Sequence, residues 1–448
     1  MSSARIAPPT LEQVINDRPV SWLQIRVIVL CSLVVFVDGY DLQAMALVVN
    51  SLAETWHQPP SAFALAQAAS MIGLGLGSIF LAPLGDKVGR KPVVISGLLL
   101  MGTGSLALMT STEMSHLVAW RCLVGIGLGM CHGNATALGA EFAPLRKRAL
   151  LMTLMGCNVA LGGLVAGLIA PWLMTHWSWQ AVFFAGGVMP IAVALVLLVA
   201  MPESLQLLFA RQPKSARVAK VLNQIAPGVE PGKLAAPSAR NISANSIFAL
   251  FKPPLLERTL CLWLIYIFNT FLLYLLISWL PVFLSGAGWS RTSSSHGIVM
   301  LQLGGIGGAL LLSYLVDRGH AVNALIVAYL MCAVTALMFV VLPSEGWLWN
   351  VLIIMLGASI SGAMLALMTL GAIFYPTTIR ATGLSWTAAV ARIGAVLGPL
   401  AGGWVLAAGI PSTKIIALLA VPATVSALIA LSMRRIVREA QAEERSTA

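Results

Sequence analysis

Charge is what this sequence has least of. Of 448 residues, 16 are acidic and 27 basic, and together they make up only 10% of the chain. An ordinary soluble domain carries about 25%. A chain this poor in charge cannot cover a globular surface with polar groups, which excludes a soluble enzyme and a disordered protein. Cysteine is also scarce. The six cysteines form no CxxC pair, which excludes a disulfide scaffold. Cys31, Cys122, Cys131, Cys157, Cys261 and Cys332 all fall in apolar stretches and read as small packing residues. The strict apolar/polar alternation of an outer-membrane barrel is missing. So are a metal-spaced His/Cys cluster and a nucleophile constellation, so neither an enzyme nor a cofactor is expected.

What is present is apolar: 58% of the residues are hydrophobic. Segments 55–85, 92–112, 122–140, 259–290 and 319–344 contain no Asp, Glu, Lys or Arg. A membrane span needs about 20 apolar residues, so each segment holds one. Segment 149–202 is charge-free and too long for one span; it breaks at the interfacial patch Thr175-His176-Trp177-Ser178-Trp179. The expected spans are 24–50, 62–84, 92–111, 116–141, 149–174, 179–201, 258–285, 294–316, 321–342, 347–374, 381–408 and 413–433. This is an all-α polytopic membrane protein of twelve helices.

The basic residues orient it. With the N-terminus cytoplasmic, 23 of the 27 fall in inside loops or tails. Only Arg291 and Lys414 fall outside, and Arg121 and Arg392 fall within spans. This is the positive-inside pattern, with both termini cytoplasmic. The net charge of +11 is therefore topological, and no continuous basic stripe suggests nucleic acid. Glu12, Asp17 and Arg18 argue against a cleavable signal peptide. The glycosylation-type triplet Asn241-Ile242-Ser243 falls in an inside loop and carries no weight.

The most polar stretch, 202–257, divides the spans six and six, giving halves 1–201 and 258–448 around a cytoplasmic central loop. A shift of 231 residues lays Leu84-Gly85-Asp86-Lys87 on Leu315-Val316-Asp317-Arg318, and Gly163 and Gly167 on Gly394 and Gly398. A shift of 232 lays Pro144 and Arg148 on Pro376 and Arg380. Such matches, in order, point to duplicated parallel halves, an architecture that binds its substrate at mid-membrane between them.

A charge near mid-bilayer costs at least about 2.5–3.5 kcal/mol and is usually functional. Asp38 and Asp41 share one face of the first span at i,i+3 spacing. Desolvation and mutual repulsion there favour proton uptake by at least one of them; the alternative is a structural pair held by backbone amides or an arginine. In the fourth span Arg121 is followed by Gly125, Gly129 and Gly133, a small-residue face that admits a neighbouring helix. His132 is eleven residues on, about three turns, and lies on nearly the same face as Arg121. Arg121 can neutralise Asp38 or Asp41 or hold an anionic substrate. His132 is a ligand contact or a hydrogen-bonded packing residue. Arg392, deep in the eleventh span, can grip a planar carboxylate through two parallel hydrogen bonds. Its repeat mate is Leu161 at a shift of 231, so the fold alone does not demand the charge; a structural ion pair is the alternative. Tyr266, Asn269, Tyr274, Gln302 and Trp386 offer ring contacts and hydrogen bonds. Asp86, Arg90, Glu141, Arg148, Asp317 and Arg380 sit at inside helix ends, as a network that latches one conformation would.

These residues resemble the major facilitator superfamily. The loop Ala82-Pro83-Leu84-Gly85-Asp86-Lys87-Val88-Gly89-Arg90-Lys91 is similar to its signature between helices 2 and 3, where Gly usually stands at the place of Ala82. Arg121 with Gly125, Glu141-Phe142-Ala143-Pro144 with Arg148, and Pro202-Glu203-Ser204 resemble further marks. Within the superfamily the chain is most similar to the aromatic acid/proton symporters. The carrying residues are Asp38-Gly39-Tyr40-Asp41, Gly133-Asn134-Ala135-Thr136, and Tyr375-Pro376-Thr377 leading to Arg380-Ala381-Thr382-Gly383-Leu384-Ser385-Trp386 and Arg392. His132 departs from that family, which has an apolar residue there. The resemblance implies import of a hydroxybenzoate-like monocarboxylate, such as 4-hydroxybenzoate or protocatechuate, for aromatic catabolism. It implies paired aspartates Asp38 and Asp41 active in transport, energy from the proton gradient, and a monomer in a bacterial inner membrane. The related drug/proton antiporters carry GxxxGPxxGG in helix 5; here that pattern stands at 394–403 in helix 11 instead, which favours uptake over drug export. A sugar or drug carrier, or transport-linked chemoreception, are the rival readings. No signalling domain is visible in the sequence.

Overall fold

The computed structural model describes residues 9–213, 215–235, 250–253, 255–344, 347–375 and 379–447. Twelve helices are long and apolar enough to cross a membrane: α1 Trp22–Thr55, α2 Pro60–Val88, α3 Arg90–Leu108, α4 Met114–Phe142, α5 Leu145–His176, α6 Trp179–Ala200, α7 Leu255–Gly286, α8 Arg291–Val316, α9 Ala321–Val341, α10 Trp347–Met368, α11 Thr382–Ala407 and α12 Ser412–Arg434. Each overlaps one expected span. The α5–α6 hairpin turns at the expected patch, where Trp172, His176 and Trp177 cluster with ring centroids 4.9–6.3 Å apart.

The repeat is written in close helix contacts. An added Cβ on Gly73 would sit 2.0 Å from the Cys122 carbonyl oxygen, and one on Gly304 2.0 Å from that of Ile354. The same holds for Gly125 against Ser70 (2.1 Å) and Gly357 against Leu301 (2.0 Å), and for Gly162 against Phe36 (2.0 Å) and Gly394 against Ile267 (2.1 Å). Only a residue without a Cβ permits backbones to approach this far. At the starts of α5 and α11, Arg148 Nε donates to the Ala143 carbonyl at 3.3 Å and Arg380 Nε to the Tyr375 carbonyl at 3.2 Å. Positions in α1 and α2 match α7 and α8 at an offset of 231, whereas α4 and α5 match α10 and α11 at 232. The mate of Gly394 is therefore Gly162 rather than Gly163, and the mate of Arg392 is Ala160 rather than Leu161. One extra residue before α10 explains the slip.

The two halves meet away from the central segment. On that far side Arg291 of α8 pairs with Glu54 of α1, and a Cβ on Gly403 of α11 would collide with the Ala64 side chain of α2. Nearer the middle, Gln302 of α8 donates to the Ala160 carbonyl of α5 at 3.5 Å. Toward the central-segment side, a Cβ on Gly133 or Gly156 would meet open space, with no described atom within 4 Å. Gly125 and Gly129 of the small-residue face pack on α2, as expected; Gly133 instead borders this open space.

The central segment is more than a loop. Helices Leu205–Arg211 and Ala216–Ile225 start at Ser204 and Ser215, whose hydroxyls accept from Leu207 N and Val218 N. Leu205, Phe209, Val218, Leu222 and Ile225 are buried with Leu23, Val27, Leu197 and Met201 of the first half. Asn241-Ile242-Ser243, Pro376 and Thr377 lie outside the described residues, as does the Asp317 side chain.

Candidate functional site

In the motif Asp38-Gly39-Tyr40-Asp41 each residue serves a different neighbour. Gly39 faces α5, where a Cβ would lie 2.0 Å from the Val159 carbonyl oxygen. Tyr40 faces α6 and donates its hydroxyl to the Val182 carbonyl at 3.0 Å. Asp38 and Asp41, one turn apart, both reach α4.

They reach different partners there. Arg121 Nη1 donates to both carboxylate oxygens of Asp41, at 3.1 and 3.2 Å, and both side chains are buried. Neither ion would be stable alone at this depth, so each is held by the other. Asp38 Oδ2 lies 2.5 Å from His132 Nδ1. Asp38 is buried, with Oδ1 lacking a hydrogen-bond partner among the described residues, but the His132 side chain is 44% exposed. One carboxylate is thus locked by a permanent cation, while the other is linked to the open space through a titratable ring.

Arg392 approaches from the second half. Its Cδ would lie 3.9 Å from a Cβ on Gly75, and its Nη2 donates to Ser78 Oγ at 3.1 Å. Ser78 sits in a widened π turn, Gly77–Leu81, closed by Ala82 N donating to the Gly77 carbonyl at 2.8 Å. Pro83 follows and has no N–H to continue the regular ladder. Such turns concentrate at functional sites. Ser78 is the only hydrogen-bond partner of Arg392 among the described residues. A guanidinium has five N–H donors, so four remain for a ligand. Arg392, Asp38 and Tyr274 lie within electrostatic reach of one another, as do Arg392 and His132. On the far side of this group Gln67, Arg121, Tyr274 and Ser278 close around a space of about 10 Å³.

The other candidates are placed less centrally. Gln302 is buried and bridges the halves. Gln43 lies beside it, since a Cβ on Gly163 would meet both side chains; Gln43 Oε1 has no hydrogen-bond partner among the described residues. Asn269 is buried, accepting from the Tyr329 hydroxyl at 3.0 Å and contacting Met364 Sδ at 3.6 Å. Tyr266 packs in the same second-half cluster. Neither is brought to Arg392 by these contacts, because both serve packing against α9 and α10. Trp386 stacks on Trp263, 6.5 Å between centroids. The helix-end network ties the first half to the start of the central segment: Arg90 pairs with Glu141 at 2.6 Å and Asp86 at 3.5 Å. Glu141 in turn accepts from Ser204 Oγ at 2.6 Å. Glu203 Oε1 accepts from the backbone amides of Arg90, Lys91 and Ser204, and Arg148 reaches Glu12 at 3.6 Å.

The site residues Ser78 and Gln43 escaped sequence reasoning. A lone Ser or Gln in an apolar run is ordinary, and the only signal at Ser78 was the nearby Gly77 and Pro83.

The repeat makes the asymmetry of the charges explicit. The mates of Asp38 and His132 are Asn269 and Met364, which touch in the same way but carry no charge. The mates of Asp41 and Arg121 are the apolar Leu272 and Ile353. Arg392 is matched by Ala160. The same scaffold stands without these charges in the opposite half.

The Major Facilitator Superfamily model matches residues 31–399. The chain is 34% identical over 437 residues to the 4-hydroxybenzoate transporter PcaK of Pseudomonas putida, covering 96% of this chain and 97% of that one. It is 32% identical to the gallate transporter of Pseudomonas putida, covering 95% of each. In fold it is similar to the partially occluded inward open conformation of the xylose transporter XylE from E. coli. That match has a TM-score of 0.70 and 15% identity, over 91% of this chain and 99% of that one. These relatives are carriers, so the chain is a transporter and not an enzyme. It belongs to the Major Facilitator Superfamily, in its aromatic acid transporter family.

Proposed function

We propose that this protein imports a hydroxybenzoate-like aromatic monocarboxylate together with protons, by alternating access, as a monomer in a bacterial inner membrane with both termini cytoplasmic. The observation that carries this reading is Arg392: a mid-membrane guanidinium at the seam of the halves, with one serine partner and no charged counterpart in the repeat. Its planar fork matches a carboxylate and repels a cationic drug. Arg121 is a poorer carboxylate ligand, because Asp41 already occupies it. The kinship with transporters of 4-hydroxybenzoate and gallate supports an aromatic acid as cargo.

The substrate is an anion at neutral pH, and carrying it into an inside-negative cell costs about 2.3 kcal/mol per 100 mV. One co-transported proton cancels that charge, and the proton gradient then supplies the drive. The Asp38–His132 pair is the proton carrier in this reading. Asp38 has an unpartnered oxygen, and His132 connects it to the open side. Asp41–Arg121 is a fixed pair that keeps Arg121 neutralised while the halves 1–201 and 258–448 rock about the site. The open central-segment side is the cytoplasmic release state. The Arg291–Glu54 contact is its outer seal.

The test is binding of labelled 4-hydroxybenzoate to purified protein, with competition by benzoates of different hydroxylation. Arg392→Lys is expected to weaken binding at least tenfold, since Lys lacks the planar fork, and sugars are expected not to compete. Undiminished binding in Arg392→Lys would remove Arg392 from the site.

A further inference from the structure

A second recess lies away from the transport path, on the central-segment side of the first half. It is a groove of about 810 Å³ where the ends of α1, α3 and α6 meet helices Leu205–Arg211 and Ala216–Ile225. One wall is apolar and belongs to the membrane spans. Ile95, Leu99, Leu198 and Val199 line it, and Val199 is 91% exposed. The other wall is basic. Arg26, Lys91, Arg211, Arg217 and Lys220 line it, against a single carboxylate, Glu203, already engaged by three backbone amides.

The sequence arranges this twice over. In helix Ala216–Ile225 the positions Val218, Leu222 and Ile225 are buried against the first half. Arg217, Lys220, Val221 and Gln224, at i, i+3, i+4 and i+7, turn a second face to the groove. From the membrane side, Arg26 projects out of apolar α1, and its Nε is buried without a hydrogen-bond partner among the described residues. Lys91 snorkels to the Leu198 carbonyl at 2.8 Å. A ligand that satisfies both walls must carry a negative headgroup and an apolar tail.

We infer that this groove binds one anionic glycerophospholipid from the leaflet facing the central segment. The phosphodiester lies among Arg26, Arg217 and Lys220, and an acyl chain runs along Leu99, Leu198 and Val199. The charge complementarity selects an anionic headgroup over a zwitterionic one. The apolar wall selects a lipid over free phosphate. Bound there, the lipid pins the 205–225 helices to the membrane face of the first half, beside the Asp86–Arg90 loop.

The experiment uses the full-length protein in nonionic detergent, with lipid binding read by native mass spectrometry and by thermal melting. The probes are phosphatidylglycerol, phosphatidylethanolamine and inorganic phosphate. Phosphatidylglycerol is expected to bind and to raise the melting temperature, and the other two to do neither. The double variant Arg217→Gln/Lys220→Gln removes two exposed cations and should melt as the wild type without lipid. Its affinity for phosphatidylglycerol is expected to fall roughly 30-fold. Arg26→Gln, on a different helix, is the second variant and is expected to weaken binding as well. Equal binding of phosphatidylethanolamine overturns the inference, as does undiminished phosphatidylglycerol binding in both variants. Displacement of the lipid by inorganic phosphate at comparable affinity overturns it too, by assigning the groove to free phosphate.

Discussion

Asp38 and Asp41 are separated by about 4.5 Å along one helix, and their partners Arg121 and His132 by about 16 Å along another. The side chains of Arg121 and His132 lean toward each other across that difference, so both carboxylates find partners on the same neighbour. Their surroundings give them different expected behaviour on neutralisation. Asp41→Asn leaves Arg121 charged and unpaired in a buried site, a loss of about 3–5 kcal/mol. It is expected to lower the melting temperature in detergent sharply, and Asp41→Asn/Arg121→Gln to recover part of the loss. Asp38→Asn can still hydrogen-bond to His132 and is expected to leave the melting temperature nearly unchanged while abolishing accumulation of substrate. Equal destabilisation by the two single variants would contradict their division of labour.

Helices are held together here by missing side chains. Gly162 brings α5 onto α1, and a Cβ there forces the helices apart at a cost of about 1–3 kcal/mol. Gly133 has open space around it, and Ala in its place gains helix propensity of up to about 1 kcal/mol. Gly162→Ala is therefore expected to melt below the wild type and Gly133→Ala at or above it, in the same detergent-based assay. From sequence alone Gly133 read as part of one small-residue face with Gly125 and Gly129, because i+4 spacing reports which residues share a face and not what stands opposite. The spans themselves were legible, since the scarcity of charge marks them directly. Arg121 and His132 were legible as one face, because eleven residues is close to three turns, and Arg121 as a partner for one of the aspartates; the contact of His132 with Asp38 was not. Ser78 was not, since its role depends on Arg392 arriving from a helix more than 300 residues away. The helix Ala216–Ile225 left a readable signal in Val218, Leu222 and Ile225, masked by the polarity of the segment as a whole.

Across the whole molecule the two halves share backbone geometry and differ in charge. The first half holds the mid-span carboxylates Asp38 and Asp41 and their α4 partners; the second contributes Arg392. A substrate carboxylate on Arg392 would therefore bring an anion from the second half toward the Asp38–His132 pair of the first, the proposed proton carrier. In the proposed mechanism that arrangement ties movement of the halves to movement of charge, and proton coupling is its central claim. The direct measurement is the external pH of de-energised, weakly buffered proteoliposomes when 4-hydroxybenzoate is added outside, with protein-free liposomes as control for passive entry of the neutral acid. The expected result is protein-dependent alkalinisation that disappears in Asp38→Asn, while exchange of labelled for unlabelled substrate persists. Protein-dependent uptake with no change in external pH would contradict the claim.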